Sequence, residues 1–145
     1  MPGQGRTFRR QIADFWQIWP MTTKIETPRD VVFVDGIYLA KKACILICYD
    51  WEYVLGWYLC RSEQSRSWQA LIQRIATPIV VVSDGGPGLR KALKKVWRTA
   101  KLQRCIVHAV WQVHRYTTRR PKTLAGIMLK DLANDLYNVK TQEDA

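Results

Sequence analysis

Two stretches decide the fold of this chain: residues 31–36, VVFVDG, and residues 79–88, IVVVSDGGPG. Each begins with a short apolar run, which is typical of a buried strand, and each run ends at an Asp-Gly turn. A helical pattern between them predicts a crossover that returns the chain parallel to the first strand. Asp35 and Asp84 are then expected together at the carboxyl edge of one sheet, where open α/β sheets usually bind ligands.

The other apolar patterns predict an α/β fold with a mixed sheet. Three strand runs with short connections form an antiparallel meander, in which only the second strand is reversed. Parallel strands with crossover helices follow, and a helical extension ends the chain. The predicted strands are at about 31–36, 42–49, 53–60, 79–83 and 102–107, and the predicted helices at about 65–76 and 122–138, with others starting after Asp84 and near His108.

The chain divides into three predicted parts. Residues 1–29 hold an amphipathic helix at about 7–19, ended by Pro20, and a linker. Residues 30–120 form the globular core, and residues 121–145 hold a helix and a polar tail that frays. A chain of 145 residues is long enough for one hydrophobic core.

The charge of the chain favours a polyanionic partner. It carries 23 Lys and Arg against 12 Asp and Glu, a formal net charge of +11, which is typical of nucleic-acid-binding proteins. No apolar stretch reaches the ~18 residues that span a bilayer, and no signal-like apolar core is present, so we expect a cytoplasmic protein and no membrane partner. Basic runs interleaved with Trp97 and Tyr116 are candidate nucleic-acid contacts, with a solvated helix face as the alternative. The candidate contacts are Arg90, Lys94, Lys95, Arg98, Arg115, Arg119 and Arg120.

The four cysteines do not predict disulfides. Cys44 and Cys48 share one strand face but lie ~13 Å apart, and Cys60 ends another apolar run, so all three are expected in the core. Cys105 and His108 have the ligand types for zinc, but no second pair has a suitable spacing for a structural site. A buried thiol and a hydrogen-bonded histidine are the favoured interpretation.

The two aspartates have two interpretations. Paired carboxylates can hold two divalent cations ~3.5 to 4 Å apart for phosphoryl transfer, and Mg²⁺ suits such oxygen ligands. Alternatively, each Asp satisfies backbone donors at a turn or helix start, which spacing alone favours. The Gly-rich turn at 85–88 could cradle a phosphate, but it lacks the nucleotide-binding spacings, so a structural turn is favoured there.

Three motifs in this order resemble the core of bacterial Mutator-type insertion-sequence transposases: VFVDG at 32–36, VSDGG at 82–86 and QRCIVH at 103–108. The resemblance implies a ribonuclease H-like fold with a DDE site, in which Asp35 and Asp84 are the first two catalytic, metal-binding acids. It further implies a two-metal site for Mg²⁺ or Mn²⁺, DNA ends and target DNA as partners, and an intact protein that is homo-oligomeric and nucleoid-associated. Cys105 and His108 match the family's C-x-x-H motif.

The third acid of the DDE site has no clear match. In the family it lies beyond a helical insertion, and the helix at 122–138 resembles the start of that insertion. Glu143 is the only downstream Glu, and it lies in the polar tail. We therefore expect a chain truncated at both ends and inactive alone, which leaves open whether it is itself an enzyme. A ribonuclease H-like nuclease or resolvase, and a non-catalytic DNA-binding remnant that interferes with an intact transposase, are the alternatives.

Overall fold

A computed structural model describes residues 23–40 and 42–140. The helix predicted at 7–19 and Glu143 lie outside these residues. The described chain confirms the predicted α/β class, with five strands and four helices. In chain order they are β1 (Val31–Leu39), β2 (Ala43–Tyr49), β3 (Val54–Cys60), α1 (Ser65–Ile72), β4 (Val80–Ser83), α2 (Pro87–Val96), β5 (Lys101–Arg104), α3 (Ile106–Thr117) and α4 (Leu124–Asp135).

The five strands form one mixed sheet in the order β3-β2-β1-β4-β5. β1, β2 and β3 make the predicted antiparallel meander, and β4 and β5 extend the sheet in parallel from β1. β1 is longer than the predicted 31–36, because residues 36–39 continue to pair with β2 after β4 has ended. Asp35 therefore lies within β1, at the level where its pairing with β4 stops.

The core lies between one face of the sheet and the helices α1 and α2. Alternate residues of the central strands point into it, as the period of two in a strand requires. Trp97, just after α2, is fully buried, and its Nε1 donates a hydrogen bond to the Ile75 carbonyl at 3.0 Å. Trp97 is therefore a core residue, as the apolar face of Leu89, Leu93, Val96 and Trp97 predicts, and it is not part of the exposed basic and aromatic stripe with which it was also grouped. The central members of the core are Val32, Leu46, Cys48, Trp68, Leu71, Val81 and Leu89.

Helix α1 ends at Ile72, four residues before its predicted end. The chain leaves the helix because Ile75 forms a parallel bridge with Ile25. The Ile25 amide donates to the Arg74 carbonyl at 2.8 Å, and the Ala76 amide donates to the Ile25 carbonyl at 2.7 Å. This pairing joins the segment before β1 to the core.

Helices α3 and α4 form a hairpin that packs mainly against itself. β5 ends at Arg104, before the predicted position 107, because Cys105 is already the residue at the N-cap position of α3. Val110 and Ala133 are buried in the hairpin, whereas Trp111 and Leu132 are largely exposed. Within residues 23–40 and 42–140, no helix has the length and apolar character needed to cross a membrane.

Candidate functional site

The register of β1 and β4 brings Asp35 and Asp84 level with each other. Val31 pairs with Val80, and Phe33 with Val82. The same offset aligns Asp35 with Asp84, the residue that directly follows β4. Neighbouring strands lie ~4.8 Å apart, so the two aspartates are neighbours at one edge of the sheet. The crossover between these strands predicts the common edge, and the structure adds that β1 and β4 are adjacent.

Each aspartate is held by its own glycine turn. The Gly36 amide donates to Oδ1 of Asp35 at 2.8 Å, and the Gly86 amide donates to Oδ1 of Asp84 at 2.9 Å. In the second turn, Gly85 lies between Asp84 and Gly86 and has a φ of +81°, a backbone conformation that favours glycine. The turn role expected of each Asp is therefore present. In this role, Oδ1 of each carboxylate accepts a hydrogen bond from a backbone amide, and Oδ2 is left for a ligand.

A third carboxylate, that of Glu63, lies at the same edge, although Glu63 belongs to none of the sequence motifs that contain Asp35 and Asp84. Glu63 follows β3 and precedes α1. Its side chain lies against Gly36, where an added Cβ would come within 2.9 Å of Oε2 of Glu63. Its backbone lies against Gly88, where an added Cβ would come within 3.2 Å of the Glu63 carbonyl carbon. The segments that follow the two aspartates thus admit Glu63 because they carry glycine.

The negative charges of Asp35 and Asp84 act on the carboxyl group of Glu63. Burial raises the pKa of Glu63 most, and the negative charges of Asp84 and Asp35 raise it further, while a hydrogen bond with the Tyr38 side chain lowers it. Like charges raise a carboxyl pKa only at short range, so the three acids share one electrostatic environment. In the described part of the chain, however, no three His, Cys, Asp or Glu side chains are gathered closely enough to hold a metal ion.

The donor groups at this edge suit a cation of the magnesium type. Mg²⁺ prefers carboxylate oxygens, needs only one or two of them, and keeps several of its waters. The two aspartates offer such oxygens, and the glycines beside them leave space that a Cβ would fill. At Gly86, for example, an added Cβ would lie 3.3 Å from Oδ1 of Asp84. The donor chemistry of the two carboxylates therefore suits a divalent cation of this type.

Cys105 and His108 lie next to the acidic edge. Ser83 of β4 pairs with Arg104 of β5, so Cys105 is level with Asp84, and its amide donates to the Ser83 carbonyl at 2.6 Å. His108 lies in the first turn of α3, and its Nδ1 is buried with no hydrogen-bond partner among the described residues. The expectation of a hydrogen-bonded histidine is therefore wrong for this nitrogen. The C-x-x-H pair borders the site, without the four ligands of a structural zinc.

The remaining cysteines largely match their predicted core positions. Cys44 and Cys48 are fully buried and free. Burial is the main cause that raises the pKa of Cys44 to about 11 and that of Cys48 to about 12. Cys60 is only half-buried, and its thiol donates to the carbonyls of Cys44 at 3.4 Å and Ser62 at 3.2 Å. None of the three points to a metal or redox site.

Basic side chains dominate the chain around the acidic edge. Between residues 64 and 130, Asp84 is the single acidic residue, beside fourteen Lys and Arg. Helix α2 starts just beyond Asp84 and buries Leu89 and Leu93, so its basic residues form the opposite, solvent-facing side. The predicted contacts are all exposed: Arg90, Lys94, Lys95, Arg98, Arg115, Arg119 and Arg120. This charge distribution would attract a polyanion to the side on which α2 lies.

Comparisons with known proteins identify one family and two insertion-sequence transposases that this chain is similar to. The model of the family described as "Transposase, Mutator family" matches residues 35–144. The transposase for insertion sequence element IS905 of Lactococcus lactis is 32% identical over an aligned length of 100 residues, and the match covers 58% of this chain and 26% of that protein. A Corynebacterium diphtheriae protein named "Probable transposase for insertion sequence element" is 22% identical over an aligned length of 120 residues, and the match covers 77% of this chain and 34% of that protein. The chain thus spans about a quarter to a third of the length of these curated relatives.

Proposed function

Because the chain belongs to the Mutator family of transposases, we propose that residues 30–120 form the ribonuclease H-like part of a DDE active site for DNA transposition. Asp35 and Asp84 are its first two metal-binding acids. The sheet order, with only β2 reversed, supports this fold assignment. The observation that carries the proposal is the β1 and β4 register, which aligns the two aspartates at one edge.

The reaction of this site is phosphodiester hydrolysis followed by strand transfer to target DNA. Bound Mg²⁺ or Mn²⁺ supplies activation of the attacking oxygen and stabilisation of the leaving oxygen in an in-line displacement. Asp35 and Asp84 contribute their free carboxylate oxygens, while the amides of Gly36 and Gly86 hold the other oxygens in place. The exposed basic residues of α2 bind backbone phosphates and orient the DNA.

We propose that residues 30–120 bind a divalent cation and DNA. Strand cleavage needs the third acid of the DDE site, which the family resemblance places downstream of α4. Assembly into a homo-oligomer and action at nucleoid DNA belong to the intact transposase. Cation binding at Asp35 and Asp84 can therefore be measured without a cleavage assay.

Calorimetric titration of the 145-residue chain with Mn²⁺ tests the proposal. Asp35→Asn and Asp84→Asn keep the shape of each side chain and remove its charge. Each is expected to weaken Mn²⁺ binding by about tenfold or more, as loss of a group that supports a metal typically does. Asp131→Asn, on the exposed side of α4, is the matched control and should bind like the unchanged chain. If Asp35→Asn and Asp84→Asn also bind Mn²⁺ like the unchanged chain, the site assignment is wrong.

A further inference from the structure

We propose that Phe33, Tyr49 and Trp51 form a stacking site for an unpaired nucleobase of bound DNA, with the base lying against the ring of Trp51. This inference rests on the proposed function, since it takes a DNA strand at Asp35 and Asp84 as given. The ligand is a planar, neutral base, which the site recognises by its ring face and not by its sequence. The three side chains are called the aromatic platform.

The aromatic platform lies on the face of the sheet that also carries Asp35. Val32 and Val34 belong to the core. The alternation of β1 therefore puts Phe33 and Asp35 together on the opposite face, at a rise of about 7 Å from each other. Tyr49 of β2 pairs directly with Phe33, so its ring is on this face too. The platform therefore starts beside the acidic edge.

The charge of Asp35 acts on the aromatic platform. Burial raises the pKa of Tyr49 most, and the negative charges of Asp35 and Cys105 raise it further. Because charges shift a pKa mainly at short range, Tyr49 is a near neighbour of Asp35. Successive nucleotides of a DNA strand are about 3.4 Å apart along a duplex. A strand with a phosphate at Asp35 therefore has its next one or two bases within reach of the platform.

Trp51 is the member of the platform that is free to stack on a ligand. Its ring meets Phe33 edge to face, with the centroids 4.6 Å apart, and Phe33 stacks on Tyr49 at 5.3 Å. Trp51 is nevertheless 80% exposed. The neighbouring rings hold it in place, as such aromatic pairs do, and most of its surface is left for a base. Stacking on an exposed aromatic ring is the usual way in which proteins hold unpaired bases.

The turn that carries Trp51 is fixed by its own contacts. Oδ1 of Asp50 accepts hydrogen bonds from the amides of Glu52 at 2.8 Å and Tyr53 at 2.7 Å. The Asp50 amide donates to the Tyr53 carbonyl at 3.0 Å, and Nε of Arg29 lies 3.3 Å from Oδ2 of Asp50. A ring on such a turn loses little conformational freedom when a ligand binds.

The charges around the platform favour a base of DNA as its ligand. The chain has a net charge of +11, which attracts a polyanion to it as a whole. Glu52 directly follows Trp51 and is exposed, and its negative charge repels a phosphate but not a neutral base. The phosphates of the strand therefore lie at the basic side chains, and a base lies at the platform.

Fluorescence anisotropy of a labelled single-stranded oligonucleotide tests this inference, with a duplex of the same length as the second probe. Trp51→Ala should weaken single-strand binding about tenfold, because it removes the stacking surface. It should leave duplex binding nearly unchanged, because paired bases already stack on one another. Trp51→Phe keeps a ring and should restore most of the affinity. Tyr137→Ala removes a half-exposed ring just after α4 and is the matched control, which should bind both probes like the unchanged chain.

Two further readouts separate stacking from charge. The slope of log affinity against log salt concentration should be the same for Trp51→Ala and the unchanged chain, since stacking releases no counterions. An abasic oligonucleotide of the same length keeps the phosphates without the bases. It should therefore bind Trp51→Ala and the unchanged chain equally. Circular dichroism checks that Trp51→Ala is folded.

Failure of this inference can be told from failure of the proposed function. If Trp51→Ala binds the single strand like the unchanged chain, or loses as much affinity for the abasic strand, the inference is overturned and the proposed function stands. If Trp51→Ala changes the molecular mass in analytical ultracentrifugation and not the DNA affinity, the platform is a contact between copies of the chain, which also overturns the inference. If the unchanged chain binds neither single-stranded nor duplex DNA, the proposed function fails, and this inference fails with it.

Discussion

The sheet with α1 and α2 and the hairpin of α3 and α4 are stabilised in different ways. Among the described residues, fifteen buried hydrophobic residues form one cluster, and all of them lie between Val32 and Trp97. In the hairpin the buried hydrophobic residues are Val110 and Ala133. Asp35, Glu63 and Asp84 all belong to the first region. The candidate site is therefore positioned by packed strands and helices, and the hairpin contributes little to its geometry.

The largest expected effect is a difference in stability between variants of two tryptophans, one in each region. Trp97 is 1% exposed and donates a hydrogen bond to Ile75, whereas Trp111 on α3 is 61% exposed. Trp97→Ala should lower the free energy of unfolding by about 3 to 5 kcal/mol, as loss of a buried aromatic residue does. Trp111→Ala should change it by less than about 0.5 kcal/mol. Urea unfolding of both variants measures this, and equal losses would contradict the division into two regions.

A second test concerns the basic side of α2. Arg90 lies in the first turn of α2, which starts just beyond Asp84. Its replacement by Gln should weaken DNA binding. The slope of log affinity against log salt concentration should fall by about 0.9 for the lost phosphate contact. Lys24→Gln removes one charge from a residue that pairs with Glu26 at 3.4 Å, and serves as the control. Fluorescence anisotropy at several salt concentrations gives both slopes, and an unchanged slope for Arg90→Gln would place the DNA elsewhere.

A smaller effect is expected at the start of α4. The Gly126 amide donates to the Thr123 hydroxyl at 3.2 Å, which caps this helix. Thr123→Ala should destabilise the hairpin by about 1 kcal/mol, while Thr123→Ser keeps the acceptor and should restore most of it. Amide hydrogen exchange should detect the change in α4 and not in β1 or β4. Equal loss of protection in the sheet would show that the two regions unfold as one unit.

The smallest expected effect is a pH dependence in the turn between β2 and β3. Asp50 accepts hydrogen bonds from the amides of Glu52 at 2.8 Å and Tyr53 at 2.7 Å. These bonds, and then the charge of Arg29, lower the pKa of Asp50. A lowered folded-state pKa stabilises the fold above the unfolded-state pKa, and this stabilisation is lost as the pH falls through the lowered value. The urea midpoints of Asp50→Asn and the unchanged chain should therefore differ at neutral pH and converge in acid. A gap that stays constant would contradict this.

Local patterns in the sequence predicted the strands, the α/β class and the common edge of Asp35 and Asp84. They did not predict that β4 lies beside β1, because strand order depends on pairing between distant segments. The sequence pattern placed Trp97 both on the apolar face of Leu89 and Leu93 and among the basic residues around it. The burial of that face decided its position.

Glu63 shows what the sequence contained and motif spacing did not reveal. It matches no motif with Asp35 or Asp84, and it lies in a connection between two elements. The direction of the predicted strands could have found Glu63. A β3 parallel to β1 ends at the same edge as Asp35, and Glu63 follows the end of β3 by three residues. The close approach to Gly36 and Gly88 is a tertiary contact, which spacing alone does not contain.

The most direct test of the central claim is the paramagnetic effect of Mn²⁺ on the amide NMR signals of the chain. With a cation at the acidic edge, the signals of Gly36 and Gly86 should broaden first, and those around Leu132 in α4 should stay sharp. Asp84→Asn should remove the broadening at both glycines. Broadening centred on Asp131 and Asp135 of α4, with Gly36 and Gly86 unaffected, would contradict a metal site at Asp35 and Asp84.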